Sequence, residues 1–149
     1  MLPILFRDER LVAIHKPSGL LVHRSEIDRH ETRFAVQLLR DQIGRRVYPA
    51  HRLDRGTSGV LLFALDKETA RLLGACFERQ EVTKTYLAVV RGHPPETGRI
   101  DHALSRQRDD AEWVGDRSSD EAQPAVSDFR RLATCELPHQ VDRYPTSRY

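Results

Sequence analysis

The sequence has few cysteines, no long apolar run and no histidines at metal-binding spacing, and each shortage excludes a class of protein. Its 149 residues include two cysteines, Cys76 and Cys135, which are far apart and share no metal-type spacing. We therefore expect both to be small buried residues of a protein from a reducing compartment. The longest apolar stretch, from Val60 to Leu65, is far too short to span a bilayer.

Neither a metal site nor a targeting segment is predicted. No pair of histidines has the spacing of a zinc site, so we expect no metal. The first residues, from Met1 to Glu9, already include two acids, and they lack both a basic start and a small-residue cleavage site. We therefore expect no signal peptide and a cytoplasmic location.

The composition is that of a globular domain of mixed charge. Apolar residues make up 39% of the chain and charged residues 31%, and the length suffices for one domain with a core but hardly for two. Residues 40–55 carry five arginines against two aspartates, a net charge of +3, whereas residues 105–121 carry three arginines against six acids, a net charge of −3. The basic stretch suits a polyanionic partner, although charge alone is equally compatible with a solvated surface.

Hydrophobic periodicity predicts two helices. Thr32 is placed to cap a helix that runs to about Ile43, and Gly44 is placed to end it. Asp66 is placed to cap a second helix, predicted over 67–80, whose apolar residues fall on one face.

Short strands surround these helices. The stretch 59–65 is apolar throughout, which is typical of a strand buried on both faces. The polar and acidic stretch 105–123 is interpreted as a long loop outside the folded core. Because strands adjoin strands and only two helices intervene, the order predicts an α+β fold with a mixed, mainly antiparallel sheet and flanking helices. The other predicted strands are 2–7, 11–15, 84–91, 99–104 and 125–137.

The most informative stretch surrounds Asp54. Residues 51–59 read His-Arg-Leu-Asp-Arg-Gly-Thr-Ser-Gly, so the carboxylate stands between Arg52 and Arg55. Neighbouring guanidinium groups favour the ionised carboxylate, which suits a nucleophile better than a general acid. Taken alone, the pattern is also compatible with a salt-bridged aspartate that stabilises a turn, since aspartates are common in turns.

Three motifs in the same order resemble those of the RluA-type pseudouridine synthases. The first is Lys-Pro-Ser-Gly-Leu-Leu-Val-His at 16–23, the second is the 51–59 stretch with its apolar strand, and the third is Lys-Thr-Tyr-Leu-Ala-Val-Val-Arg-Gly at 84–92. Together they make the resemblance specific, whereas a lone Arg-Leu-Asp would be weak. The resemblance implies the family's catalytic fold and the isomerisation of uridine to pseudouridine in RNA, without cofactor or metal.

The resemblance also implies roles for individual residues. Asp54 matches the family's catalytic aspartate, which attacks the target nucleotide, and Tyr86 matches its active-site tyrosine. Arg52 matches the arginine that takes the place of the flipped uridine, for which a planar guanidinium is suited because it stacks on bases. The residues further expected to contact RNA are His51, Arg55 and Thr57.

Within the family, the chain is most similar to the type that modifies uridine 65 of tRNA. RNA, and tRNA in particular, is therefore the expected partner, and no membrane is expected. The family pattern continues past Tyr149 with basic residues, one of which pairs with the catalytic aspartate. We accordingly expect residues 1–149 to be the N-terminal portion of a catalytic domain, with weak or no activity alone.

Alternative functions stay open at this point. The same catalytic residues serve ribosomal RNA pseudouridine synthases, so Asp54 does not discriminate between the two substrates. A truncated, non-catalytic RNA-binding protein would also carry these motifs, whereas a hydrolase lacks a second acid or an oxyanion motif to support it. The sequence leaves the modified uridine, the oligomeric state and the role of the 105–123 stretch undetermined.

Overall fold

The computed structural model describes residues 1–23, 32–105 and 122–149, and its backbone contacts divide the chain into two compact units. The first unit comprises Met1–Lys84 and the second Thr85–Tyr149. Each unit contains its own antiparallel strands. Within the described ranges no helix is long and apolar enough to cross a membrane.

The first unit is built on a four-stranded sheet with two helices. Along the sheet the strands follow the order β1-β2-β4-β3, and each neighbouring pair is antiparallel. Together with the paired strands of the second unit, this arrangement confirms the predicted α+β fold class. The elements of the first unit are β1 (Ile4–Arg7), β2 (Leu11–Lys16), α1 (Ala35–Ile43), β3 (Tyr48–Pro49), β4 (Gly59–Ala64) and α2 (Lys67–Glu78).

The core of the first unit lies on one face of this sheet. Val12 and Ile14 of β2 are fully buried, as are Leu61 and Phe63 of β4. The register pairs Val12 with Phe63 and Ile14 with Leu61, so these cross-strand neighbours share a face. Leu39 of α1 belongs to the same cluster. Burying each such side chain contributes about 1.5–3 kcal/mol, which makes the β2–β4 pair the hydrophobic centre of the unit.

The start of β4 is covered on one face only, so the prediction of a strand buried on both faces is wrong there. Val60 is 57% exposed, whereas its neighbour Leu61 is fully buried. Successive side chains of a strand point to opposite faces. Apolar composition alone does not reveal whether one face or both will be covered, which is why the sequence misled at Val60.

Helix α1 begins two residues later than predicted, because backbone groups rather than Thr32 anchor its first turn. Its N-cap is Phe34, which is extended and makes no side-chain cap hydrogen bond. The first two N–H groups of the helix donate to carbonyls of the segment after β2, at 2.8 and 3.0 Å. These bonds satisfy donors that a capping side chain would otherwise accept. Gly44 ends the helix in the left-handed conformation with a φ of 65°, as predicted.

Helix α2 begins where the sequence predicts. The Thr69 N–H donates to Oδ1 of Asp66 and the Thr69 hydroxyl donates to Oδ2, both at 2.8 Å. These hydrogen bonds lower the pKa of the Asp66 carboxyl below its ordinary value, as expected for a capping carboxylate. The helix ends at Glu78, two residues before its predicted end, and Gln80 takes a positive φ of 56°.

The second unit contains two antiparallel strand pairs. Strand β5 (Thr97–Asp101) pairs with β6 (Val126–Arg130), and β7 (Glu136–Leu137) pairs with β8 (Ser147–Arg148). The predicted strand 99–104 is therefore shifted towards the N-terminus, and the predicted strand 125–137 is divided between β6 and β7. A Cβ at position 98 would lie 2.6 Å from the opposing phenyl ring of β6, so any other residue there would require this ring to move.

The predicted strand 84–91 is wrong, because this segment forms no strand in the described structure. Leu87 and Val89 are 84% and 85% exposed. A strand exists only where a second segment accepts and donates its backbone hydrogen bonds, and the residue pattern of one segment does not reveal that partner.

Two further sequence predictions concern the cysteines and the acidic stretch. Cys76 is half-buried and Cys135 is exposed, both as free thiols, so the expected burial of Cys135 is wrong. Most of the acidic stretch, residues 106–121, lies outside the described residues.

Replacing Leu61 with alanine is expected to lower the free energy of unfolding by about 2–5 kcal/mol, because it opens a cavity in the core cluster that Leu61 shares with β2 and α1. Val60→Ala, one position away, is expected to cost less than about 1 kcal/mol because its side chain is largely solvated. Urea unfolding followed by circular dichroism measures both values. Equal losses would contradict a core on one face of β4.

Candidate active site

The chain between β3 and β4, residues 50–58, forms what we call the Asp54 loop. Leu53 is buried with 9% of its surface exposed, and it anchors the middle of the loop in the core. The flanking side chains of Arg52, Asp54 and Arg55 are exposed. An apolar anchor thus holds the loop while its charged side chains remain accessible to a solute.

A buried lysine ammonium binds the Asp54 loop to the turn that follows β2. Lys16 is fully buried, and its Nζ donates to the carbonyls of Pro17 (3.2 Å), Leu20 (2.6 Å) and Arg55 (3.2 Å). An ammonium has three donors, and each has an acceptor here. Burying such a charge is costly unless it is fully hydrogen-bonded, so the three carbonyls explain how Lys16 is tolerated in the core.

Two further hydrogen bonds join the same two segments. The Gly19 N–H donates to the Arg55 carbonyl at 2.7 Å, and the Ser18 hydroxyl donates to the Gly56 carbonyl at 2.7 Å. Gly19 has a φ of 85°, a conformation that suits glycine and aims its N–H at the loop. Residues of the 16–23 motif and residues of the 51–59 motif are therefore in direct contact.

Asp54 itself sits at a tight turn within the electrostatic reach of Lys16. The Thr57 N–H donates to the Asp54 carbonyl at 3.1 Å, which closes the turn. Burial lowers the pKa of the Lys16 ammonium, and the negative charge of Asp54 partly offsets this effect. The loop thus places an exposed carboxylate near a buried cation.

The ring of His51 faces the protein rather than solvent. Its Nε2 accepts a hydrogen bond from the Leu62 N–H at 3.2 Å, and the ring stacks on Phe77 of α2 with centroids 4.8 Å apart. Burial lowers the pKa of His51 below its ordinary value, and the nearby Lys84 charge lowers it further, while a hydrogen bond with the Arg52 backbone opposes both. The ring is therefore held in its neutral form.

The structure gathers five of the six predicted site residues on one loop. The Asp54 loop carries His51, Arg52, Asp54, Arg55 and Thr57. Tyr86 belongs to the second unit, where it is 60% exposed. Among the described residues there is no group of three or more histidine, cysteine or acidic side chains that could hold a metal ion.

The sequence pointed to Lys16 as a residue that shapes the sheet near the site, but it did not predict that the 16–19 turn bonds to the Asp54 loop. Lys16, Ser18 and Gly19 donate the hydrogen bonds that hold the loop, and nothing in the loop sequence itself indicates these donors. One signal was present: Val12, Ile14 and Lys16 alternate along β2, and the pattern places the lysine on the buried face. A charged residue at a core position indicates a specific partner.

Comparison with known proteins identifies the family. A model described as RNA pseudouridylate synthase matches residues 10–144. The chain is 53% identical over 148 residues to tRNA pseudouridine synthase C of Pasteurella multocida and 51% identical over 149 residues to that of Haemophilus influenzae. These matches cover 99% and 100% of this chain but 61% and 62% of the two relatives. The chain thus spans about three-fifths of the length of the curated relatives it matches.

Solved structures give the same result for the fold. Human RNA Pseudouridylate Synthase Domain Containing 1 matches with a TM-score of 0.70 and 26% identity, over 99% of this chain and 57% of that one. Human RNA Pseudouridylate Synthase Domain Containing 4 matches with a TM-score of 0.60 and 27% identity, over 98% and 56% respectively. From the family match over most of its length, and from these neighbours, we conclude that the chain belongs to the RNA pseudouridylate synthase family.

Proposed function

We propose that this chain carries the catalytic loop of a tRNA pseudouridine synthase that converts uridine 65 to pseudouridine, with Asp54 as the nucleophile. The observation that carries the proposal is the position of Asp54, exposed on a loop that a buried ammonium fixes in place. The identity of about 50% to several proteins named tRNA pseudouridine synthase C supports tRNA as the substrate.

The reaction is an isomerisation, so it needs a nucleophile and proton transfers but no redox cofactor. The bond between N1 of uracil and C1′ of ribose breaks, the base turns, and a bond forms between C5 and C1′. A proton leaves C5 and N1 gains one, so atoms and charge balance. An ionised Asp54 supplies the nucleophile, and its fixed backbone reduces the entropy lost in reaching the nucleotide.

The exposed side chains around Asp54 suit an RNA substrate. We propose that Arg52 fills the gap left by a flipped uridine and stacks on the neighbouring bases, for which its planar guanidinium is suited. Arg55, which is exposed, and Thr57, which is half-buried, are proposed to contact the RNA backbone. Tyr86 is proposed to stack on the flipped uracil and to assist removal of the C5 proton. We propose a cytoplasmic location, where such a protein would meet tRNA.

Replacing Asp54 with alanine is expected to reduce pseudouridine formation by roughly 10⁴-fold or more, because the nucleophile is removed. Because the chain spans about three-fifths of its relatives, we test it in a chimaera. In this chimaera, residues 1–149 replace the matching stretch of the Pasteurella multocida enzyme. Unmodified tRNA and ribosomal RNA from a deletion strain are incubated with this chimaera, and pseudouridine is mapped. Modification at tRNA position 65 is expected. Modification of ribosomal RNA alone would contradict the tRNA assignment, and full activity of Asp54→Ala would exclude Asp54 as nucleophile.

The 149-residue chain alone is expected to turn over tRNA far more slowly than the chimaera, since it spans about three-fifths of its relatives. Both proteins are assayed side by side on the same transcript, and filter binding gives their tRNA affinities. Equal turnover would overturn this expectation. Affinity without turnover in both proteins would instead favour a non-catalytic RNA-binding role.

Replacing Lys16 with methionine is expected to lower the free energy of unfolding by about 2–4 kcal/mol, because the Pro17 and Leu20 carbonyls lose their donor. The same change should slow the chimaera, because the Arg55 carbonyl loses one of its two donors and the loop loosens. Lys67→Met is the matched control, since Lys67 is exposed. Thermal unfolding and pseudouridine mapping measure the two effects. Identical behaviour of the two variants would show that the buried ammonium does not hold the loop.

A further inference from the structure

The His51 side chain continues the β3–β4 ladder at the point where the backbone leaves it. The ladder pairs Tyr48 with Ala64 and Pro49 with Phe63. The next backbone bond runs from the Ala50 N–H to the Leu62 carbonyl at 2.9 Å. The Leu62 N–H then donates to Nε2 of His51 at 3.2 Å, where a carbonyl of a continuing strand would otherwise accept. An imidazole nitrogen thus replaces a backbone acceptor at the start of the Asp54 loop.

The same ring is fixed from a second direction by α2. Its stack on Phe77 has an interplanar angle of 25°, and the ring is half-buried. With Leu53 anchored in the core two positions further on, the chain from 51 to 53 is held at both ends. Asp54 follows directly, so its position depends on how firmly this short segment is held.

We propose that His51 is a positioning residue for Asp54: its neutral ring, bonded to Leu62 and stacked on Phe77, fixes the segment that presents the carboxylate. This inference rests on the proposed role of Asp54. It assigns His51 a task inside the protein, in place of the RNA contact that the motif suggested. The task requires Nε2 to be free of a proton, because only then does it accept the Leu62 N–H.

The positioning therefore depends on pH. The groups that meet the ring from β4 and α2, the Leu62 amide and the Phe77 ring, do not titrate. The Lys84 ammonium is the charge whose field lowers the pKa of His51, in the same direction as burial. Because the folded protein holds His51 neutral below its ordinary pKa of 6.5, the unfolded chain binds more protons there. The contribution of His51 to the free energy of unfolding is thus fully present above about pH 6.5, and it is lost as the pH falls through the lowered pKa.

The test uses two variants that separate the ring from its acceptor. His51→Phe keeps a ring for Phe77 but has no acceptor, whereas His51→Gln keeps an acceptor that does not titrate in this range. His15→Gln, which removes an exposed histidine of the same unit, is the control. The 149-residue chain is studied by NMR for the Leu62 amide and the imidazole nitrogens, and the chimaera is assayed on tRNA.

In the wild-type chain, the Leu62 amide shift should titrate with the same midpoint as His51 Nε2. His51→Phe should speed exchange of the Leu62 amide by at least about tenfold, whereas His51→Gln should remove the pH dependence and retain protection. His51→Phe should also slow pseudouridine formation by about 10- to 100-fold, with tRNA affinity changed less than about twofold. His15→Gln should behave as wild type in every measurement.

Three results would overturn the proposal: a protonated Nε2 at neutral pH, unchanged Leu62 exchange in His51→Phe, or a loss of activity matched by an equal loss of tRNA affinity. The last would make His51 an RNA contact. The NMR measurements do not require catalysis. Failure of the proposed function, seen as full activity of Asp54→Ala, is therefore distinguishable from failure of the His51 assignment.

Discussion

The burial of the Lys16 ammonium is the constraint on which the geometry of the candidate site depends. A charged group in the core is stable only if every donor finds an acceptor, and Lys16 finds its acceptors in two separate segments of the chain. The cost of burying the charge is offset only when the β2 turn and the Asp54 loop adopt these positions together. A residue that is unfavourable in isolation therefore specifies how two loops are arranged.

The predictable parts of the fold were those encoded within a few residues. Asp66 caps α2 through Thr69, three positions away, and Gly44 ends α1 by its own backbone conformation. The start of α1 was mispredicted because its anchor is a segment after β2. The 84–91 strand was mispredicted because ladder formation depends on a partner that a local pattern does not contain.

In the candidate site, too, the local features were predictable from the sequence and the long-range contacts were not. Its exposed residues Arg52, Asp54 and Arg55 could be named from one motif, and the fold places them on one loop. The contacts that hold this loop connect positions as far apart as Lys16 and Arg55, which are 39 residues apart, so no local pattern contains them. His51 was read from the motif as an RNA contact, whereas its ring lies against β4 and α2, which only the tertiary structure reveals.

The bonds from the β2 turn to the Asp54 loop all end on backbone carbonyls, those of Arg55 and Gly56. In the described structure these bonds hold the backbone of the loop directly. A substitution of a loop side chain therefore leaves these hydrogen bonds in place, and with them the backbone on which the Asp54 carboxylate is carried.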